Sequence, residues 1–355
     1  MSQGSRGRDP EQTARTLEQW LSFRLNVSAV TVVDVSTPKA GFSNETILGT
    51  ARWTASRAGT LIEHERKFVA RIEPTSHQLF AEPDAIRQAQ VMQGLAGRVP
   101  VPTIWLTEPD RSVLGAPFFL MDQVVGRVPS DVPSWHKRGW TTQLSPNERV
   151  KMHDHALGAL STLHKVPIDA GLQFLERPGT DTALDRYVAQ LEQIYHWCKP
   201  VRIYGADVID AAMAHVLSNR PSTKASSIVW GDARVGNIMF ADDCTVAAMV
   251  DWEGATLGPP EIDVAWWVMF DEYLGEAQGF SRLEGIPDTA GTFGRYEQLS
   301  GRTLQNMGYY QILAGLFLAL INSRLVDLLI RNEIVDKTYG AELVTRVTNM
   351  TARHL

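Results

Sequence analysis

One stretch constrains the chain more than any other: "SIVWGDARVGNIMFADDCTVAAMVD", residues 227–251. Short apolar runs alternate in it with Gly, Asp and Asn, so it reads as strand, loop, strand, turn, strand. It is set inside a half of the chain where helical spacing otherwise dominates, as in "NERVKMHDHALGALSTLHKV" and "ALDRYVAQLEQIYHWC", and helices resume from about Glu261. The first 124 residues have the opposite texture. After a helical "EQTARTLEQWLSFRL" come strand-like "VTVVDVS", "ETILGTARW", "KFVARIE" and "APFFLMDQVVG", with one helix, "DAIRQAQVMQGLAG", and an extended "VPVPTIWLT" whose prolines forbid a helix. The expectation is an α+β chain in two parts. Residues 1–124 form a small antiparallel sheet with a helix, and 125–355 form a larger, mainly helical part around a small sheet patch. A hinge is expected near Val124–Gly126.

Bulk properties exclude several functions. With 355 residues, 44% of them hydrophobic and 21% charged, the chain is an ordinary globular protein with room for a large core. A net charge of −6 offers no basic field for nucleic acid. Cys198 and Cys244 fit no metal pattern and are read as free thiols in a reducing cytoplasm. The polar start "MSQGSRGRDPEQ" has no apolar segment of a signal peptide and is expected to be a frayed tail. The greasy run "ILAGLFLALI", Ile312–Ile321, falls short of the roughly 20 residues a bilayer requires, so no membrane partner is expected.

The chemistry lies in "WGDARVGN". Turn residues are common between strands, so this octet alone decides nothing. Its spacing to the next acid adds weight: Asn237 follows Asp232 by five residues, and Asp251 follows by nineteen, at the end of the apolar run "VAAMV". Asn237 and Asp251 both offer hard oxygens of the kind that hold Mg²⁺ together with phosphates. Asp232 can orient and deprotonate a hydroxyl. Phosphoryl transfer needs these parts: a positioned base, metal-held phosphates and positive charge over the group in flight.

The pattern D-x-x-x-x-N followed by a distant Asp resembles the catalytic and metal-binding loops of protein-kinase-like enzymes. The glycine before Asp232 and the "DWE" at 251–253 resemble the aminoglycoside phosphotransferase and choline kinase branch, which phosphorylates small molecules. "GFSNET" (41–46), "KFVARIEP" (67–74), "RVPVP" (98–102), "LSTLH" (160–164) and "LGPPEIDVAWW" (257–267) extend the likeness over roughly residues 15–330. In texture it is similar to bacterial members related to the kinase-like domain fused to some acyl-CoA dehydrogenases. The resemblance implies a two-lobed protein-kinase-like fold using ATP and Mg²⁺ on a small-molecule hydroxyl substrate. It makes Asp232 the base and Asn237 and Asp251 the Mg²⁺ ligands. Arg71 takes the place of the strand lysine on the nucleotide phosphates, and Arg234 that of a lysine on the γ-phosphate. Ser43 and Asn44 belong to the phosphate-covering loop. Val69 lines the adenine pocket, Asp122 and Val124 present backbone groups to adenine with Met121 behind them, and Asp263 braces the catalytic loop.

The sequence departs from that pattern in four places. The usual histidine before Gly-Asp is Trp230, which implies altered bracing of the loop. The strand lysine is Arg71, still a cation able to clamp phosphate. Its glutamate partner on the following helix is Gln88, so the ion pair is missing. The covering loop has a single glycine, Gly41. Gln88 and Trp230 keep open a second reading, a catalytically weak pseudokinase that binds nucleotide as a sensor or scaffold. His153, His155 and His164 are read as structural, because offsets of two and eleven do not place all three on one helix face. Trp266, Trp267 and Tyr273 are read as core in preference to a pocket wall. The acidic "DEYLGE" (271–276) is read as a solvated face in preference to an amine-binding patch. The aromatic C-terminal helices, with Tyr195, Trp197, Tyr309, Tyr310 and Phe317, lean towards a partly apolar acceptor.

Overall fold

The structure is a computed structural model that describes residues 8–37, 45–57, 60–75, 82–176 and 181–355. Two compact units emerge. One is built from Met1–Gln93 and Pro102–Val124, the other from Gly94–Val101 and Val125–Leu355. The division at 124 thus has one exception inside the first span. Arg98 there donates to Pro167 O and pairs with Asp169, and Met249 N donates to Pro100 O at 2.7 Å.

The first unit starts with helix α1, Pro10–Leu25. Asp9 caps it by accepting from the backbone of Glu11 and Gln12. The expected tail is therefore shorter than "MSQGSRGRDPEQ", since Pro10, Glu11 and Gln12 are already helical. A five-stranded sheet follows, with β1 (Val30–Ser36), β2 (Glu45–Arg57), β3 (Thr60–Ile72), helix α2 (Ala85–Leu95), β4 (Ile104–Glu108), a short α3 (Arg111–Leu114) and β5 (Phe118–Asp122). The spatial order is β1-β2-β3-β5-β4, antiparallel throughout. Strand β3 alternates as its pleat requires. Phe68, Ala70 and Ile72 face a core with Leu17, Trp20, Leu21, Phe118 and Leu120, which leaves half-buried Val69 and Arg71 together on the other face.

The second unit is mainly helical. Helices α4 (Pro146–Leu163), α5 (Ala183–Cys198) and α6 (Ala206–Ser218) precede the sheet patch, and α7 (Glu261–Leu274), α8 (Thr289–Ser300), α9 (Met307–Arg331) and α10 (Lys337–Ala352) follow it. Ser145 with Glu148 and Thr182 with Asp185 close reciprocal capping boxes on α4 and α5. The patch comprises β6 (Ser227–Val229), β7 (Ile238–Phe240), β8 (Val246–Met249) and β9 (Thr256–Gly258), paired β6 with β9 and β7 with β8. Strand β9 has no clear sequence signal, because three residues are too few to show a period. The greasy run lies within α9, a 25-residue helix long and apolar enough to cross a membrane; 72% of its most apolar window is buried in this unit.

Candidate active site

Gly231 makes the local chain path possible. It follows β6 with φ +86°, a left-handed value that glycine adopts without strain. A Cβ here would also collide with the Gly254 backbone. Gly231→Ala should cost about 3 kcal/mol or more from these two effects, read as a lowered urea midpoint. A loss under about 0.5 kcal/mol would show that the loop has another route.

Asp263, in the first turn of α7, is fully buried and holds this loop. Its carboxylate accepts from Trp230 N (2.6 Å), Gly231 N (2.9 Å) and His164 Nε2 (3.0 Å). His164 caps α4, and its Nδ1 lies 2.6 Å from the Tyr296 hydroxyl. A neutral imidazole satisfies both contacts, with Nε2 donating to Asp263 and Nδ1 accepting from Tyr296. Trp230 stands where the family has its usual histidine. Its backbone N–H serves Asp263, and its indole donates to Val250 O at 3.0 Å and stacks on Trp252.

Asp232 projects from the braced loop with its side chain 26% exposed. Oδ1 accepts from the Trp266 indole at 2.8 Å, and Oδ2 from Asn237 Nδ2 at 2.6 Å. Arg234 Nε lies 3.0 Å from both oxygens. Asn237 Nδ2 also donates to Asp232 O, at 3.0 Å. Both partners are acceptors, so the amide nitrogen must face them and the carbonyl oxygen turns away from Asp232. Asp251 ends the path out of β8 with φ +63°, an uncommon value for a non-glycine residue that marks a constrained position. Its charge acts on both Arg234 and Asp131. Among the described residues no group of three or more His, Cys, Asp or Glu could hold a metal. Asn237 and Asp251 together still fit Mg²⁺, which takes few protein oxygens and completes its shell with phosphates and water.

Sequence reasoning missed three partners of this site. Trp266, read as core, is nearly buried, yet its N–H orients Asp232. It lies three residues after Asp263, a helical spacing that puts both on one face of α7 and could have linked them. Phe270, a turn later, lies under the Arg234 guanidinium at 4.7 Å. Asp131 pairs with Arg234 from 103 residues upstream and carries no local signal. Burial pulls the Arg234 guanidinium down, but Asp232 and Asp131 more than offset this and leave it raised.

Other expectations are revised. "DEYLGE" is a solvated acidic face only in part: Asp271 is buried against His136 and Arg282, Glu276 is exposed and also pairs with Arg282, and Glu272 pairs with Arg353. Tyr309 and Tyr310 are core residues, and Tyr195 bonds to Asp210. Of the C-terminal aromatics named, Phe317 packs on Trp266, at 5.2 Å. His153, His155 and His164 have separate partners: Trp267, Cys244 O and Asp263.

Burial pulls His153 down to about 4, against the opposing charges of Asp271 and Asp154 and with help from Arg282 and Arg295. The unfolded chain titrates nearer 6.5, so it takes up this proton first as pH falls. Stability should therefore fall between about pH 6.5 and 4, by up to ~1.4 kcal/mol per pH unit. Urea midpoints should drop on acidification, and His153→Leu should flatten that drop. An unchanged pH slope in the variant would contradict this.

In the first unit, Arg71 stands opposite Thr46 and Phe119, and its Nη1 donates to Thr46 Oγ1 at 3.0 Å. Val69 stands opposite Met121. Asp122 donates its N–H to Thr103 O and pairs its carboxylate with Arg66. Val124 ends the unit. Gln88 is buried on α2, and its Oε1 has no partner among the described residues. Ser43 and Asn44 lie outside the described residues.

The family model described as "Phosphotransferase enzyme family" matches residues 38–297, well over half of the chain. The chain belongs to this phosphotransferase family. Its sequence is 29% identical over 212 residues to acyl-CoA dehydrogenase family member 10 of Mus musculus, covering 57% of this chain and 18% of that protein. The chain spans less than a third of the length of the curated relatives it matches. A protein of Ralstonia eutropha JMP134, named as a candidate aminoglycoside phosphotransferase, superposes with a TM-score of 0.70 at 26% identity over 96% of each chain. A thermostable mutant of the aminoglycoside phosphotransferase APH(4)-Ia, solved with AMP-PNP and hygromycin B, shares the fold at a TM-score of 0.58 and 13% identity, over 95% of this chain and 99% of that one. The phosphotransferase family's kinase-like α+β fold is thus the fold of this chain, as its sequence resemblance implied.

Proposed function

We propose that this member of the family moves the γ-phosphoryl group of ATP, with Mg²⁺, to a hydroxyl of a small molecule. The observation that carries the reading is the Asp232 carboxylate, oriented by Trp266 and Asn237 on a loop locked by the buried Asp263. Asp232 orients the acceptor hydroxyl and takes its proton at a carboxylate oxygen. Arg234 places positive charge beside it, where negative charge grows in the transition state. Asn237 Oδ1 and Asp251 would hold Mg²⁺, which when bound neutralises phosphate charge. In the first unit, Arg71 is the residue proposed for the nucleotide phosphates and Ser43 and Asn44 for covering them. Val69, Met121 and the backbone of Asp122 and Val124 are proposed for adenine. Nucleotide use is supported by the AMP-PNP complex of the APH(4)-Ia neighbour, though that likeness is one of fold.

Two observations bear on the acceptor. Half-buried Phe270 and Phe317 flank Trp266 beside Asp232, giving an apolar surface. The acids of 271–276 that could have drawn a polycation are tied up in ion pairs. A partly apolar hydroxyl compound fits better than a polycationic sugar. The test is ATP consumption with Mg²⁺ against a mixed library of hydroxyl compounds. Acceptor-dependent consumption is expected, and a response to polycationic aminoglycosides alone would overturn the acceptor assignment. The buried Gln88, in place of an acid, favours the pseudokinase alternative. ATP that raises the melting temperature without being consumed by any acceptor would select that alternative.

A further inference from the structure

We propose that Asp131 is a positioning residue for the transfer reaction, fixing the Arg234 guanidinium beside Asp232; the inference rests on the phosphotransferase reading above. Arg234 is two residues from Asp232, and a long side chain paired so locally retains several rotamers. A second anchor from a distant segment removes that freedom. Asp131, between β5 and α4, supplies it: its Oδ2 pairs with Arg234 Nη1 while Nε faces Asp232. The Phe270 ring closes a third side, and Arg234 is only 15% exposed.

Two further features show that this pair is built into the fold. Gly236 lies directly against it, and a Cβ there would overlap both Asp131 Oδ1 and Arg234 Nη1. A side chain at 236 would therefore displace one end of the pair. Asp131 also occupies an unfavourable place for an acid. Its Oδ1 is buried with no hydrogen-bond partner among the described residues. Burial pushes its carboxyl up, Arg234 opposes this, and the nearby Asp232 and Asp251 charges push it further up. Arg234 is the group that compensates these costs, so the pairing is what the position serves.

The fixed guanidinium has a chemical consequence. Charge that stabilises a transition state acts in full only when it is held in place before the reaction, since reorganisation then costs nothing. Freed from Asp131, Arg234 keeps its attraction to Asp232 and competes with the acceptor hydroxyl for the same oxygens. Loss of Asp131 should therefore lower kcat more than it raises the KM for nucleotide.

The probe is basal hydrolysis of MgATP by the full chain, with water standing in for the acceptor hydroxyl. Asp131→Asn should lower kcat ~10- to 100-fold with KM for ATP within about threefold, and Asp131→Glu should restore part of the loss. Arg234→Met should lower kcat at least as far, and the double variant should be no slower than Arg234→Met alone. Losses that multiply in the double variant, or an Asp131→Asn enzyme as fast as wild type, would overturn the inference while leaving the phosphotransferase reading intact. Wild-type protein that neither hydrolyses MgATP nor is stabilised by it would overturn that reading and the inference with it. The Arg234 Nε–H NMR resonance, assigned by its loss in Arg234→Lys, gives a readout free of turnover. It should be protected from exchange in wild type and lose that protection in Asp131→Asn; unchanged protection would overturn the inference.

Discussion

Asp232→Asn is expected to lower phosphoryl transfer by ~10³-fold and to leave the fold intact. Asparagine keeps the side-chain volume, and its carbonyl oxygen can still accept from Trp266 or Asn237. It lacks the charge proposed to take up the hydroxyl proton. Arg234 keeps its pairing with Asp131, so the cation is not left unpartnered. The position is partly exposed, and the native pair to Arg234 is local, which bounds the stability change to about 1 kcal/mol. Initial rates and a thermal melt, compared with wild type, check both halves. A rate within tenfold of wild type would remove Asp232 from the proton transfer. A collapsed melt would mean that it serves the fold instead.

Asp263→Ala should be the most damaging single change to stability, at about 3–5 kcal/mol. The side chain is fully buried and accepts from two backbone N–H groups and one imidazole. Alanine leaves all three donors without their acceptor in a site that water does not reach. Because Trp230 and Gly231 set the direction of Asp232, transfer should be lost along with stability. Asp263→Asn should fall between the two, since one carboxamide oxygen can still accept but the NH₂ would face a donor. Urea unfolding of the three proteins measures the order. A loss under about 1 kcal/mol in Asp263→Ala would show that the loop is held by other means.

Both variants test features visible in the sequence to different degrees. The loop from Trp230 to Asn237 announces itself because turn residues, an acid and an amide fall between apolar runs, and its geometry is local. The alternation that puts Val69 and Arg71 on one face of β3 follows directly from the pleat. Contacts that join distant segments leave no such trace. Nothing in the sequence around Asp131 points to Arg234, and nothing around His164 points to Tyr296. Trp266 shows a subtler limit. Its burial was legible from an apolar helix, but a tryptophan can be core through its rings and functional through its one N–H. The acidic run 271–276 misleads for the opposite reason. Its charges look solvated until His136, Arg282 and Arg353 fold against them.

Phosphorus NMR of the full chain with ATP, Mg²⁺ and a library of hydroxyl compounds asks most directly whether this loop transfers phosphate. A new phosphomonoester resonance, formed as ATP becomes ADP and absent with Asp232→Asn, is the expected result. ATP that remains unchanged with every acceptor, or a phosphomonoester that forms equally with Asp232→Asn, would contradict the assignment of Asp232 and its neighbours as the site of transfer.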